Sequence, residues 1–301
     1  MPELPEVETT VRGLKKEILG TKILDVWTDL NTKDKRKIDT ISNPNYFLYF
    51  KKEISGQKII SVERRAKNIL INLSKEKTVL VHLKMTGHLL FGEYKFIKKE
   101  NKWQPYKKGP LEDPYNRFIH AVFSLSNKKY LAFSDARKFG KITLFNTKEN
   151  SNKHLSNLGP EPLEKNFDFK KFKERLSRKP KGKIKTVLMD QSIIVGIGNI
   201  YSDEILWRSN VNPKRKVSDL KEKELILIFK AIKQLLNKGI GFGGDSMSDY
   251  RNIYGLPGKF QLHHMAYRRT GEKCSKKGCL GVIIREVINN RSAHFCSKHQ
   301  I

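Results

Sequence analysis

The sequence predicts an α+β protein: an N-terminal antiparallel β-sandwich with a flanking helix, then a helical domain, then a short C-terminal β-hairpin module. Three observations predict it. Short runs rich in Ile, Val and Leu recur between residues 58 and 145 with tight connections, which suits an antiparallel sandwich or barrel. Beyond residue 163 the apolar spacing turns helical. The three cysteines, Cys274, Cys279 and Cys296, cluster near the end of the chain.

The elements follow in order. Pro5 suits a first helical turn, because the N–H it lacks would have no intrahelical partner there. Val7, Val11, Leu14 and Ile18 share one helical face, and Gly20 ends the helix. Strands are expected at 58–63, 68–73, 79–83, 117–125, 130–134 and 141–145, with Asn127-Lys128 as a hairpin turn. Two polar, basic stretches, 31–45 and 95–116, read as surface loops. The run Leu158-Gly159-Pro160-Glu161-Pro162-Leu163 suits neither a helix nor a central strand, so a domain boundary falls near it. Helices are expected at 169–176, 183–190 and 200–207, the last entered through Gly196-Ile197-Gly198-Asn199. Asn212-Pro213 makes a turn. Ser218 is the expected N-cap of a longer helix with Leu225, Ile228, Ile232 and Leu235 as its buried stripe, although Lys221 stands where a capping box wants an acid. Residues 239–244 hold four glycines and read as a mobile loop. The expected organisation is 1–150, a linker at 151–166, then 167–270 and 271–301.

Sixty Lys and Arg against 31 Asp and Glu leave a formal charge of +29, which points to a polyanionic partner. A Lys-, Asn- and Ile-rich composition accounts for part of that excess without any function. The hydrophobic share of 38% is enough for a real core. No stretch approaches the roughly 18 apolar residues of a membrane span. The acidic start, Met1-Pro2-Glu3-Leu4-Pro5-Glu6, is unlike a signal peptide. A monomer in the cytoplasm, associated with the nucleoid and with no membrane, is the expectation.

An odd, clustered set of cysteines argues for a metal and against a disulfide framework. Cys274 and Cys279 have four residues between them, and Cys296 and His299 have two. Either pair can reach one ion, and three thiolates with one imidazole suit a single structural Zn²⁺. His264 and His294 are other candidates for the fourth ligand. Gly278 and Gly281 allow a tight knuckle, and 282–287 with 291–295 would form the hairpin between the pairs.

Several motifs are recognisable. Met1-Pro2-Glu3-Leu4-Pro5-Glu6-Val7-Glu8 resembles the start of formamidopyrimidine-DNA glycosylases. The match continues through Arg64-Arg65-Ala66-Lys67, His82-Leu83-Lys84-Met85-Thr86-Gly87, Asp135-Ala136-Arg137-Lys138-Phe139-Gly140, residues 158–163 and 196–204, and the cysteine hairpin. The resemblance spans the chain apart from the two basic stretches. It implies a helix–two-turn–helix DNA-binding domain and a zinc finger behind the sandwich. It also implies a bifunctional glycosylase and abasic-site lyase acting on double-stranded DNA that contains an oxidised purine. Leu4 and the intact Arg137-Lys138-Phe139-Gly140 resemble this branch more than the endonuclease VIII type, which removes oxidised pyrimidines. A non-catalytic zinc-finger DNA-binding protein on the same scaffold is the third reading. The four-residue spacing of the first cysteine pair, and His299 in place of cysteine, depart from the family pattern.

The chemistry explains the start of the chain. With Met1 removed, Pro2 presents a secondary amine; α-amino groups titrate near ~7.7–8.0 against ~10.4 for lysine, so more neutral nucleophile exists at pH 7. The resemblance gives Pro2 the nucleophilic role, Glu3 proton transfer at the sugar, Glu6 a place in the damaged-base pocket and Lys67 a catalytic phosphate contact. Helix-dipole complementarity is the plainer use of the two glutamates. A stacked base must be flipped out before excision. Met85, Arg137 and Phe139 resemble the family's void-filling trio, with Arg137 facing the orphaned base. His82 and Lys185 resemble phosphate or lesion contacts, and Asn199 the anchor of the helix–two-turn–helix. Glycines 196 and 198 would let backbone N–H groups approach a phosphate. Tyr250 lies in a segment resembling the flap over the flipped base, and Arg291 resembles the phosphate-gripping arginine of the finger.

Overall fold

A computed structural model describes residues 1–148 and 155–301. Residues 149–154, on which the expected boundary at 150 and the start of the linker fall, lie outside the described residues. The chain divides into two compact units that interleave in sequence. The first holds Met1–Pro2, Glu6–Ser156 and Phe242–Lys259; the second holds Glu3–Pro5, Asn157–Gly241 and Phe260–Ile301.

In the first unit, α1 (Leu4–Glu17) buries Val7, Val11, Leu14 and Ile18, as their spacing requires. Two four-stranded antiparallel sheets follow. One has the order β1 (Ile23–Thr28), β8 (Ile119–Leu125), β9 (Tyr130–Ser134), β5 (His88–Gly92). The other runs β10 (Lys141–Asn146), β4 (Lys77–His82), β3 (Asn68–Leu73), β2 (Ile59–Arg65). Val26, Leu89, Phe123 and Phe133 from one sheet join Val62, Ile69, Val81 and Ile142 from the other in one core with α1. Lys128, with φ of 63°, makes the expected turn between β8 and β9.

Two expectations need correction here. The stretch 95–116 is not an irregular loop. β6 (Tyr94–Ile97) and β7 (Lys102–Pro105) form a hairpin in it, with Trp103 packed on Trp27 and Tyr130, and short 3-10 turns lead on to Asn116. Lysines between the aromatic residues hide its strand alternation. The other polar stretch ends in a helix, α2 (Pro44–Ile54). Asn43 caps it by accepting the Tyr46 N–H at 3.0 Å, and Pro44 opens its first turn. Its Tyr- and Phe-rich sequence has little helix propensity, and burial of Phe50 and Ile54 stabilises it instead.

The second unit contains α3 (Phe169–Ser177), α4 (Ile184–Leu188), α5 (Asn199–Ser209) and α6 (Glu222–Gly241). Phe167, Phe172 and Phe229 pack together in it. Ser218 does not cap α6, because Val217–Asp219 is a 3-10 turn. Capping shifts by three residues: Lys221 precedes the helix, and the Glu224 carboxylate accepts the Lys221 N–H at 2.7 Å. The glycine-rich segment is also corrected, since Gly239 and Gly241 are helical and only Gly243 and Gly244 take positive φ. At the C-terminus β11 (Ile283–Ile288) and β12 (Arg291–Cys296) form an antiparallel hairpin through Asn289 and Asn290, both left-handed. No helix of the described residues is long and apolar enough to cross a membrane.

Candidate nucleic-acid and metal sites

In the first unit, two loops leave the sandwich with their largest side chains in solvent. Met85 is 40% and Phe139 46% exposed, and the Arg137 guanidinium lies 4.5 Å from the centre of the Phe139 ring. The buried carboxylate of Asp135 holds these loops together. Its Oδ1 accepts from the Thr86 hydroxyl and from the Arg137 N–H, while its Oδ2 accepts the Gly140 N–H at 2.7 Å. Thr86 in turn accepts the Arg137 N–H at 3.1 Å. The structure thus brings Arg137 and Phe139 together beside Thr86, the neighbour of Met85. Asp135 and Thr86 were not singled out by the sequence reading, although both lie inside the motifs that carry the resemblance.

Lys67 and His82 lie at neighbouring ends of β3 and β4, where Asn68 pairs with His82. His82 is half-buried, and its Nδ1 accepts the Lys84 N–H at 3.0 Å, leaving the proton on Nε2. Burial, then the charges of Lys84, Lys67 and Lys141, push its pKa down to about 3. The ring is therefore a neutral donor at pH 7. Glu6 is fully buried, and its Oε1 accepts the Asp245 N–H at 2.7 Å. Tyr250 is corrected: it is only 5% exposed, and its hydroxyl donates to the Glu6 carbonyl at 3.0 Å, so its phenol anchors the 242–259 segment. Burial pushes its phenol pKa up.

In the second unit, Glu3 occupies the N-terminus of α5. Its carboxylate accepts N–H groups of Gly198 at 2.5 Å, Ile200 at 2.8 Å and Tyr201 at 3.4 Å. A Cβ at position 198 would collide with the Glu3 carboxyl carbon, which explains that glycine. The expectation that Gly196 and Gly198 offer N–H groups to a phosphate is therefore corrected. The Gly196 N–H goes to Gln191, and the anion on the helix end is the protein's own Glu3. Asn199 is the first residue of α5.

Lys185 is corrected as well. It is completely buried, with Nζ 2.5 Å from Asp203 Oδ1 and 3.2 Å from Ser202 Oγ, so it cannot meet a phosphate directly. Asp203 Oδ2 accepts both the backbone N–H and Nδ1–H of His294 on β12. This buried set ties α4, α5 and the hairpin together, and it accounts for His294. Arg291, at the start of β12, is exposed.

Cys274, Cys279, Cys296 and His299 converge, with all ligand atoms within 4.8 Å of one another. Cys274 Sγ lies 3.3 Å from His299 Nδ1, and Cys279 Sγ lies 3.6 Å from Cys296 Sγ. Each sulfur receives the N–H two residues on: Lys276 to Cys274 at 3.5 Å, Gly281 to Cys279 at 3.3 Å and Lys298 to Cys296 at 3.4 Å. Such bonds stabilise thiolate charge. His299 Nε2 donates to the Trp207 carbonyl at 3.2 Å, which leaves Nδ1 as the free lone pair facing the sulfurs. The donor set fits a metal ion.

Comparisons with known proteins agree with this geometry. Residues 1–142 match the family model described as the formamidopyrimidine-DNA glycosylase N-terminal domain, and residues 158–251 match the one described as its H2TH domain. A formamidopyrimidine-DNA glycosylase of Herpetosiphon aurantiacus is 38% identical over 98% of both chains. One of Bacillus subtilis is 34% identical over 100% of this chain and 99% of its own. Among solved structures, Lactococcus lactis Fpg in complex with abasic-site DNA superimposes with a TM-score of 0.82, at 31% identity over 99% of both chains. A mutant of the same protein bound to Fapy-dG DNA gives the same TM-score and identity.

Proposed function

The chain belongs to the formamidopyrimidine-DNA glycosylase family, and on that premise we propose how its own residues share out the work of a base-excision enzyme. It acts on DNA carrying oxidised or abasic lesions. The observation that carries the reading is the rim of Met85, Arg137 and Phe139. Two large apolar side chains and a guanidinium left in solvent on a hydrogen-bonded frame add nothing to a core. They suit a duplex from which one nucleotide has been flipped, with apolar groups filling the stack and Arg137 meeting the orphaned base.

The Pro2 amine, freed of Met1, attacks C1′ of the flipped nucleotide. The bond from C1′ to the base breaks, and the base leaves with the electron pair and takes up a proton. Sugar-ring opening produces an iminium between Pro2 and C1′. That electron sink lets the C2′ proton leave and the electrons expel the 3′ phosphate; a second elimination releases the 5′ phosphate, and water returns the amine. Glu3, next in the chain, accepts three backbone N–H groups and is assigned proton transfer at the sugar. Glu6 with the 242–259 segment is assigned the base pocket. Lys67 and His82 are assigned phosphates near the lesion, His82 as a neutral donor, and Asn199 and Arg291 phosphates of the helical and finger modules. Cys274, Cys279, Cys296 and His299 would hold one Zn²⁺. The sulfur–sulfur distance is close to the about 3.8 Å edge of a tetrahedron with Zn–S bonds of about 2.3 Å, and four protein ligands leave no open position, so the ion's part is to hold the finger. A monomer in the cytoplasm, on the nucleoid, fits these assignments.

Borohydride reduction tests the chemistry. On duplexes carrying 8-oxoguanine or an abasic site, a covalent adduct through Pro2 is expected. Protein with a tag retained ahead of Pro2 should lose excision and strand scission together. Full activity with the blocked amine would overturn the mechanism, and preferential trapping on thymine glycol would move the substrate to oxidised pyrimidines.

A further inference from the structure

We propose that the 106–117 segment is a clamp for the 242–259 loop, and that Asp113 and Asn116 are positioning residues for recognition of the damaged base. The inference rests on the assignment of that loop to the base pocket. It gives a role to one of the two basic stretches that the resemblance leaves unexplained.

The contacts converge from three sides. Arg251, only 7% exposed, pairs through Nε with Asp113 Oδ2 at 3.1 Å and lies 4.4 Å from the centre of the Tyr115 ring. Its Nη1 donates to the carbonyls of Ser248 at 3.0 Å and Tyr250 at 2.9 Å. One guanidinium thus fixes the path of the loop and ties it to the clamp. Asn116, fully buried, donates from Nδ2 to the carbonyls of Pro110 at 2.9 Å and Gly255 at 3.3 Å, and its Oδ1 bonds His88 Nε2 at 3.0 Å. Gly255 approaches so closely, with φ of +83°, that a Cβ there would lie 2.5 Å from the Pro110 oxygen. Between these points the Ile253 carbonyl accepts the Phe91 N–H at 2.6 Å. On the other side the loop meets Glu6 through Asp245 and Tyr250.

The consequence is directional. Asp113 is the carboxylate opposite a buried guanidinium, so removing it leaves an uncompensated charge that Arg251 relieves by moving toward water. That movement displaces Ser248 and Tyr250, and with them the register of the loop on Glu6. Asp113, Tyr115 and Asn116 belong to no part of the proposed reaction at the sugar. Recognition of a base should suffer, while cleavage at a site that has already lost its base should not.

The test compares single-turnover excision of 8-oxoguanine with nicking of a preformed abasic site, in the full-length protein. Asp113→Ala should lower excision roughly tenfold or more, as small misplacements in active sites do, with nicking measured below the melting transition unchanged. Asp113→Glu should restore most of the loss. Gly255→Ala pushes the loop from the clamp without touching Arg251 and should give the same split. Hydrogen exchange should quicken in 245–254 and stay as it was in the sandwich strands. An unchanged ratio of excision to nicking in both variants overturns the clamp, as does an equal fall in both activities. Glu6→Gln tests the underlying assignment separately: if excision is unmoved there, the base-pocket reading fails whatever the exchange rates show.

Discussion

The rim loops and the cysteine hairpin hold the residues proposed to face DNA by opposite means. At the rim, Asp135 and Thr86 fix two loops with hydrogen bonds alone, and Met85, Arg137 and Phe139 stand in solvent. In the hairpin the residue proposed to grip a phosphate is Arg291, exposed at the start of β12, and the strand behind it is tied to α5 through Asp203 and His294 and lies beside four side chains that could hold a metal ion. The difference teaches where specificity and grip can be separated. Apolar and planar groups that must enter a base stack need freedom to meet it, whereas a phosphate contact needs only a charge held at a fixed place.

The largest effect expected from that contrast comes from the metal. Cys296→Ser leaves three ligands and should abolish duplex binding, because metal affinity is folding free energy for so small a module. The sandwich should still melt as a folded unit, since its core is its own. Metal analysis should return one zinc per chain for the parent protein and none for the variant. Intact binding without zinc would break the comparison at its root.

A middle-sized effect belongs to the rim. Arg137→Ala should narrow the preference for the base opposite the lesion by roughly 1–3 kcal/mol, the usual worth of a bidentate base contact. Affinities for 8-oxoguanine opposite each of the four bases read this directly. An unchanged preference would remove Arg137 from the reading of the opposite strand.

Much of this was legible beforehand. The helix of Val7, Val11, Leu14 and Ile18, the strands at 68–73 and 130–134 and the cysteine hairpin follow from apolar period and ligand spacing. What escaped depends on partners distant in sequence. Nothing near Lys185 announces that Asp203 and Ser202 will bury it, so a lysine in a suitable motif reads as a phosphate contact. Glu3 claims the N–H groups of Gly198 and Ile200 from almost two hundred residues away, and spacing cannot reveal that a glycine-rich helix start is already occupied. The β6–β7 hairpin was missed because its stabilising contacts, Trp103 on Trp27 and Tyr130, are tertiary while its local composition is basic and polar. Spacing favours His299, but only the Trp207 carbonyl on Nε2 explains how its Nδ1 is turned to the sulfurs.

The smallest effect sharpens the comparison most, because it separates two proposed phosphate contacts by charge. Duplex binding by a protein of formal charge +29 should weaken with salt, and the slope counts the phosphates neutralised. Arg291→Ala removes one exposed cation and should lower the magnitude of that slope by about 1, equally for damaged and undamaged duplexes. His82→Ala should weaken binding too, yet leave the slope as it was. Burial and three neighbouring lysines hold its pKa at about 3, so at pH 7 the ring donates a hydrogen bond without carrying a charge. A neutral donor displaces no counterion. Titrating both variants over a series of salt concentrations at pH 7 decides the matter. If His82→Ala lowers the slope as Arg291→Ala does, the imidazole is charged when DNA is bound, and the nearby phosphate has overcome the lysines. If Arg291→Ala leaves the slope unchanged and alters the opposite-base preference instead, the hairpin reads bases, and the division between a gripping finger and a reading rim is wrong.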